Sequence, residues 1–125
     1  MTEDELSNII IGFAIKVHKA LGPGLLESAY EHCLVYELKK AGLDVERQRR
    51  LPLIYEEVRI GCVYRLDIIV DNKVIVEVKS AREITDIDCR QTLTYLKFSN
   101  TKLGLLINFN VLLLKQGVKR IVNNL

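Results

Sequence analysis

The chain has 125 residues, 49% hydrophobic and 27% charged, with a net charge of +2 and a pI near 8.4. That length and balance suit one domain, residues 1–125, with a real hydrophobic core. They exclude a bilayer-spanning helix, because the longest apolar runs (residues 104–107 and 111–114) are far too short, and they do not announce a nucleic-acid binder by charge alone. The acidic start, Met1-Thr2-Glu3-Asp4-Glu5, lacks the basic region and apolar stretch of a signal peptide, so a cytoplasmic location is expected. Cys33, Cys62 and Cys89 are odd in number and widely spaced, which argues against a disulfide framework or a zinc or iron–sulfur site. Three small buried hydrophobes is the expectation for them.

Thr2-x-x-Glu5 is a capping box, and Leu6, Ile9, Ile10, Phe13, Val17 and Leu21 follow at helical spacing. Gly22-Pro23-Gly24 stops that helix, and a second is predicted from about Leu25 to Gly42. The period then changes to two. Residues 45–55 read as an extended stretch broken at Pro52, an edge or a bend. Residues 58–70 and 73–78 are rich in β-branched side chains and meet at Asp71-Asn72, a pair suited to a tight turn. Thr85-x-x-Asp88 predicts a third helix, with Ile87, Gln91, Thr94, Tyr95 and Phe98 on one face. Residues 103–109 and 111–114 read as apolar strands, and 119–122 as a last short one. The predicted order α-α-β-β-β-α-β-β implies an α/β (mixed α+β) fold, with a central mixed sheet flanked by helices.

Chemistry concentrates at Asp67 and at Glu77-Val78-Lys79 across the hairpin. Glu77 and Lys79 share one face of their strand, and Asp67 joins that face only if the turn holds three residues rather than two. Two such carboxylates repel unless a cation lies between them, and oxygen ligands of this kind suit Mg²⁺ or Mn²⁺. Lys79 is then placed to orient an attacking water or to stabilise charge on a phosphate. The bland alternative is a strand-surface ion pair, but the flanks are strongly apolar, and a half-buried carboxylate there is costly unless paired or metal-bound. Glu27 early in its helix could simply favour the dipole, and Gln91 and Tyr95, at i and i+4, could simply cover the sheet. His18 and His32 have no nucleophile near them in sequence and read as surface or packing residues.

Asp67 followed by Glu77-Val78-Lys79 resembles the signature of the PD-(D/E)XK nuclease superfamily. Gln91-Thr92-Leu93-Thr94-Tyr95 is similar to the Q-x-x-x-Y element of its RecB-type and lambda-exonuclease-like branches. Gly24-Leu25-Leu26-Glu27-Ser28-Ala29-Tyr30 resembles the motif of the small prokaryotic GxxExxY proteins. Gln48, Tyr95-Leu96-Lys97, residues 104–109 and Lys119-Arg120-Ile121-Val122 also look like that family, although Asn110 stands where a glycine is expected. The resemblance covers nearly the whole chain and implies a restriction-endonuclease-like core. It further implies that Asp67, Glu77 and the carbonyl of Val78 bind Mg²⁺ (or Mn²⁺), that Glu27 completes the acidic cluster, and that Lys79 serves the nucleophilic water. Gln91 and Tyr95 would support the site or touch the DNA strand.

The expectation is therefore a Mg²⁺-dependent nuclease acting on nucleic acid, DNA in preference to RNA. Glu27, Asp67, Glu77 and Lys79 are its catalytic residues, and Gln91, Tyr95, Tyr30, Lys97 and Arg120 its substrate-binding residues. Arg47, Arg49 and Arg50 are further candidates to hold the backbone. With little net charge a monomer would grip DNA weakly, so a homodimer or a partner protein is expected. The alternatives are a structure-selective nuclease of the Holliday-junction-resolvase kind and a non-catalytic nucleic-acid-binding or regulatory module that keeps the fold.

Overall fold

Thr2 accepts from the Glu5 amide and Glu5 accepts from the Thr2 amide, so the expected capping box opens α1, Glu3–Leu21. The structure is a computed structural model that describes residues 1–125, apart from the side chains of residues 62 and 63. After α1 come α2 (Glu27–Lys40), β1 (Val45–Tyr55), β2 (Val58–Val70), β3 (Val74–Lys79), α3 (Asp86–Ser99), β4 (Leu103–Asn108), a 3-10 turn (Leu114–Gly117) and β5 (Val118–Val122). A second capping box, Thr85 with Asp88, starts α3 as its sequence predicts.

The five strands form one mixed sheet in chain order. β3 and β4 run parallel, joined across α3, and every other neighbouring pair is antiparallel. β1 is an edge strand whose register shifts on either side of Pro52, where the missing N–H is tolerated. α1 and α2 cover one face of the sheet, burying Leu6, Ile10, Tyr30 and Leu34 against Ile68, Val70, Val76, Leu105 and Phe109. α3 covers the other, where Tyr95 and Leu96 meet Leu51, Leu66, Ile69 and Ile75. This is the helix-flanked mixed sheet expected of a restriction-endonuclease-like core.

Three expectations are corrected. Residues 111–114 form no strand: His18 of α1 donates from Nε2 to the Val111 carbonyl at 2.7 Å, and Leu114 turns into the core. Gly117, at the end of the 3-10 turn, then backs onto β4 so closely that a Cβ there would stand 2.1 Å from the Asn108 carbonyl oxygen. Ile87 is 79% exposed, because the buried stripe of α3 runs through Thr92, Tyr95 and Leu96 instead. Cys33 and Cys89 are half-buried rather than buried, and the side chain of Cys62 lies outside the described residues. His18 is a packing histidine and His32 is exposed.

Candidate active site

The hairpin between β2 and β3 pairs Val70 with Val74 and Ile68 with Val76, so its turn holds three residues, Asp71-Asn72-Lys73. Asp71 and Asn72 take the left-handed conformation (φ 51° and 56°) that their side chains tolerate. That choice settles the register: Asp67 comes opposite Glu77. At this step the backbone ladder gives way to side chains. The Asp67 amide donates to Glu77 Oε2 at 2.9 Å, and the Val78 amide donates to Asp67 Oδ2 at 2.9 Å. The two carboxylates thus fill the fork where β2 leaves β3.

The fork is prepared on both strands. Along β2, Ile68 and Val70 face α1 and α2 whereas Leu66 packs beneath α3, so the in–out alternation changes at Asp67. On β1 the change falls at Gln48, which lies across from Asp67 between the Arg47–Ile68 and Arg49–Leu66 pairs and adopts φ 51°. The register does not shift here, so the left-handed backbone of Gln48 changes which way the side chains face without an extra residue. The N–H and C=O of one residue leave a strand on the same side, so the Val78 carbonyl points to the fork as its amide does. The neighbouring Lys79 carbonyl points the other way, accepting from the Phe109 amide at 2.9 Å.

Glu77 is only 6% exposed. Burial, and then the charge on Asp67, push its carboxyl well above the usual range. Asp67 is raised as well, chiefly by burial, with the Val78 amide opposing and the charge on Glu31 adding to the rise. The Lys79 ammonium works against both shifts, and it also stands 4.0 Å from Asp88 at the start of α3. Two crowded, desolvated carboxylates with a backbone carbonyl beside them are hard oxygen donors whose repulsion a divalent cation would relieve, so the residues fit Mg²⁺ or Mn²⁺. Among the described residues no three His, Cys, Asp or Glu side chains converge into a metal-holding group. Glu27 therefore stands at the margin rather than completing the cluster: its Oε2 accepts from the Ser80 amide at 3.3 Å, just past Lys79.

Glu31, four residues on from Glu27 and so on the same face of α2, was not anticipated. It is buried, and it accepts from Arg47 (Nε, 3.1 Å) and from the Gln48 side chain (2.9 Å) while its charge reaches Asp67. The i+4 spacing was the available sequence signal. Tyr30 does not sit where a substrate contact could form. Its ring is fully buried, stacked on Phe109 at 4.5 Å, and its hydroxyl donates to the Gly22 carbonyl (2.6 Å) while accepting from the Leu25 amide (3.0 Å). It fixes the Gly22-Pro23-Gly24 loop ahead of Glu27.

Gln91 and Tyr95 line a cleft of about 240 Å³ between α3 and the β1–β2 arm, with Leu53, Tyr64, Thr94 and Phe98. Burial raises the Tyr95 hydroxyl above its usual range, with the charges on Glu77, Tyr64 and Asp67 adding to the rise, and Tyr95 packs in one cluster with Leu66, the neighbour of Asp67 on β2. Three cations expected to hold substrate are committed elsewhere: Arg120 to Asp4, Arg49 to Glu46, and Arg47 to Glu31. Lys97 is exposed and forms no ion pair among the described residues.

No helix is long and apolar enough to cross a membrane among the described residues. Neither the curated proteins nor the solved structures yield a match to this chain. The family model of the PD-(D/E)XK nuclease superfamily matches residues 4–121, a span that contains the fork, both carboxylates, Lys79 and the α3 cleft, and the chain belongs to that superfamily.

Proposed function

We propose that this protein is a divalent-metal-dependent nuclease that hydrolyses phosphodiester bonds in DNA, and that it falls in the GxxExxY group near the RecB-type branch. The observation that carries the proposal is the reciprocal locking of Asp67 and Glu77 in the fork, each raised in pKa by burial and by acidic neighbours. Carboxylates facing each other in this way favour a metal-using enzyme over a non-catalytic module, which has no need of so costly a pair.

Asp67, Glu77 and the Val78 carbonyl would hold Mg²⁺ or Mn²⁺. When bound, the ion lowers the pKa of a water and neutralises charge on the scissile phosphate. Lys79 orients that water and sets a positive charge beside the phosphate as negative charge develops. Glu27, anchored to the Ser80 amide, keeps the end of β3 in register with α2. Gln91 and Tyr95 guide the strand on the α3 side.

Arg50 and Arg65 are cross-strand partners on the β1–β2 arm, both exposed, and neither forms an ion pair among the described residues. Like charges directly opposite each other cost stability, and a phosphate between them relieves that cost. They can grip the backbone without first giving up an ion pair, as Arg47, Arg49 and Arg120 would have to. A homodimer would double this modest positive surface. The test is Mn²⁺-dependent cleavage of DNA by the wild type and by Glu77→Ala. Loss of cleavage in the variant is expected, and a variant that binds Mn²⁺ and cuts as well as the wild type sinks the proposal.

A further inference from the structure

The α3 cleft has a composition that the carboxylate chemistry does not require. Tyr64, on the β1–β2 arm, is 39% exposed and meets the buried ring of Tyr95 at 5.7 Å between centroids, with the ring planes inclined by 45°. The part-exposed Tyr64 ring lines the cleft together with Tyr95, Phe98 and Leu53. The Gln91 amide and the Tyr95 hydroxyl line the same space and make no hydrogen bond among the described residues. Thr94, at the rim, lies on the α3 stripe of Arg90 and Lys97, spaced i, i+4 and i+7. Both cations are exposed and form no ion pair among the described residues.

A part-exposed aromatic ring, an unpartnered amide and a bordering row of cations make a stacking platform beside an electrostatic track, the combination by which proteins hold single-stranded nucleic acid. A cleft of about 240 Å³ admits one flat group and not a base-paired duplex. We infer that the cleft between Tyr64 and α3 receives an unpaired nucleobase of the substrate strand, with Gln91 bonding the base edge and Arg90 and Lys97 following the phosphates. Resting on the nuclease reading, this assigns a single strand, or the frayed end of a duplex, as the form of nucleic acid fed to Asp67 and Glu77.

The test uses the full chain in Ca²⁺, which occupies hard-oxygen sites, and measures binding of a labelled oligothymidylate, an oligouridylate and a blunt duplex of equal length. Wild type is expected to bind both single strands more tightly than the duplex. Tyr64→Ala should weaken single-strand binding by about tenfold, the lower part of what one aromatic–base stack contributes, while Tyr64→Phe keeps it and duplex binding stays unchanged. A Tyr64→Ala protein that binds the single strands like wild type, or a wild type that prefers the duplex, overturns the inference. The Mn²⁺-induced rise in melting temperature, read on the same variants, separates the two levels. If Tyr64→Ala keeps that rise and loses single strands, the cleft is supported. If the rise is absent in wild type, the carboxylate site itself is at fault, whatever the cleft does.

Discussion

The amide of Asp67 is hydrogen-bonded to the carboxylate of Glu77, so the backbone of one acidic residue fixes the side chain of the other. The pair cannot swing apart to relieve its repulsion, and a proton or a cation has to do so. Both carboxyls are raised, Glu77 the more strongly, with burial as the largest cause. A raised carboxyl contributes stability that is fully present below its unfolded pKa and is lost as pH rises through the folded value. Metal-free protein should therefore lose melting temperature from mildly acidic toward neutral pH. Glu77→Gln should flatten that fall and melt higher than wild type at neutral pH. Saturating Mn²⁺ should reverse the order, since a ligand at a hundred times its Kd adds about 2.7 kcal/mol. Thermal melts of both proteins across pH, with chelator and with Mn²⁺, check this. Parallel pH profiles for wild type and variant would refute it.

Lys79 should separate binding from chemistry. Its ammonium lowers both carboxyls but sits outside their hydrogen bonds, so Lys79→Met should leave the Mn²⁺ response in place. Cleavage should fall by about 10²–10³-fold, the cost of removing one charge aimed at a developing oxyanion. Single-turnover cleavage beside a Mn²⁺ melt reads both quantities. Equal cleavage by the two proteins would remove Lys79 from the reaction.

Much of this was visible in the chain. The two capping boxes, the β-branched hairpin and the order of Asp67, Glu77 and Lys79 are local signals, and the structure carries each of them. The face of Asp67 is open in the sequence because a two-residue and a three-residue turn fit Asp71-Asn72 equally well, and only packing chooses between them. The role of Glu31 is not local, because its partners Arg47 and Gln48 lie on a strand beyond the end of its helix. Residues 111–114 have the composition of a strand, but the His18 bond that holds Val111 in the loop comes from a helix 93 residues away in sequence. Tyr64 gives no periodic signal, since its role depends on α3 folding over the arm.

The Arg50–Arg65 pair predicts opposite effects on folding and on binding. Replacing either arginine with alanine removes a like-charge neighbour, so the melting temperature should hold or rise slightly. DNA affinity should fall for every sequence alike. The slope of log K against log salt should drop by about one for each phosphate that the variant no longer neutralises. Salt titrations of binding by Arg50→Ala and Arg65→Ala check this. An unchanged slope in both variants would place the DNA elsewhere.

Arg47 and Glu31 predict a stability effect with a signature at the site. Arg47→Ala leaves the buried Glu31 carboxylate with only the Gln48 amide, and it should destabilise the fold. The cost should be about 2 kcal/mol, below the roughly 3–5 kcal/mol of a fully buried pair, because Arg47 remains one-third exposed to solvent. The unpaired charge also lies near Asp67, whose carboxyl Glu31 already raises. Arg47→Ala should therefore carry its pH optimum for Mn²⁺ binding upward, since a carboxyl that holds its proton more tightly yields it to the metal only at higher pH. Adding Glu31→Gln to Arg47→Ala should restore both stability and the pH profile, because it removes the charge left behind. A double-mutant cycle by denaturant unfolding, paired with Mn²⁺ titrations over pH, measures both. If the second substitution makes stability worse and leaves the profile displaced, Glu31 acts by packing alone and not by its charge on Asp67.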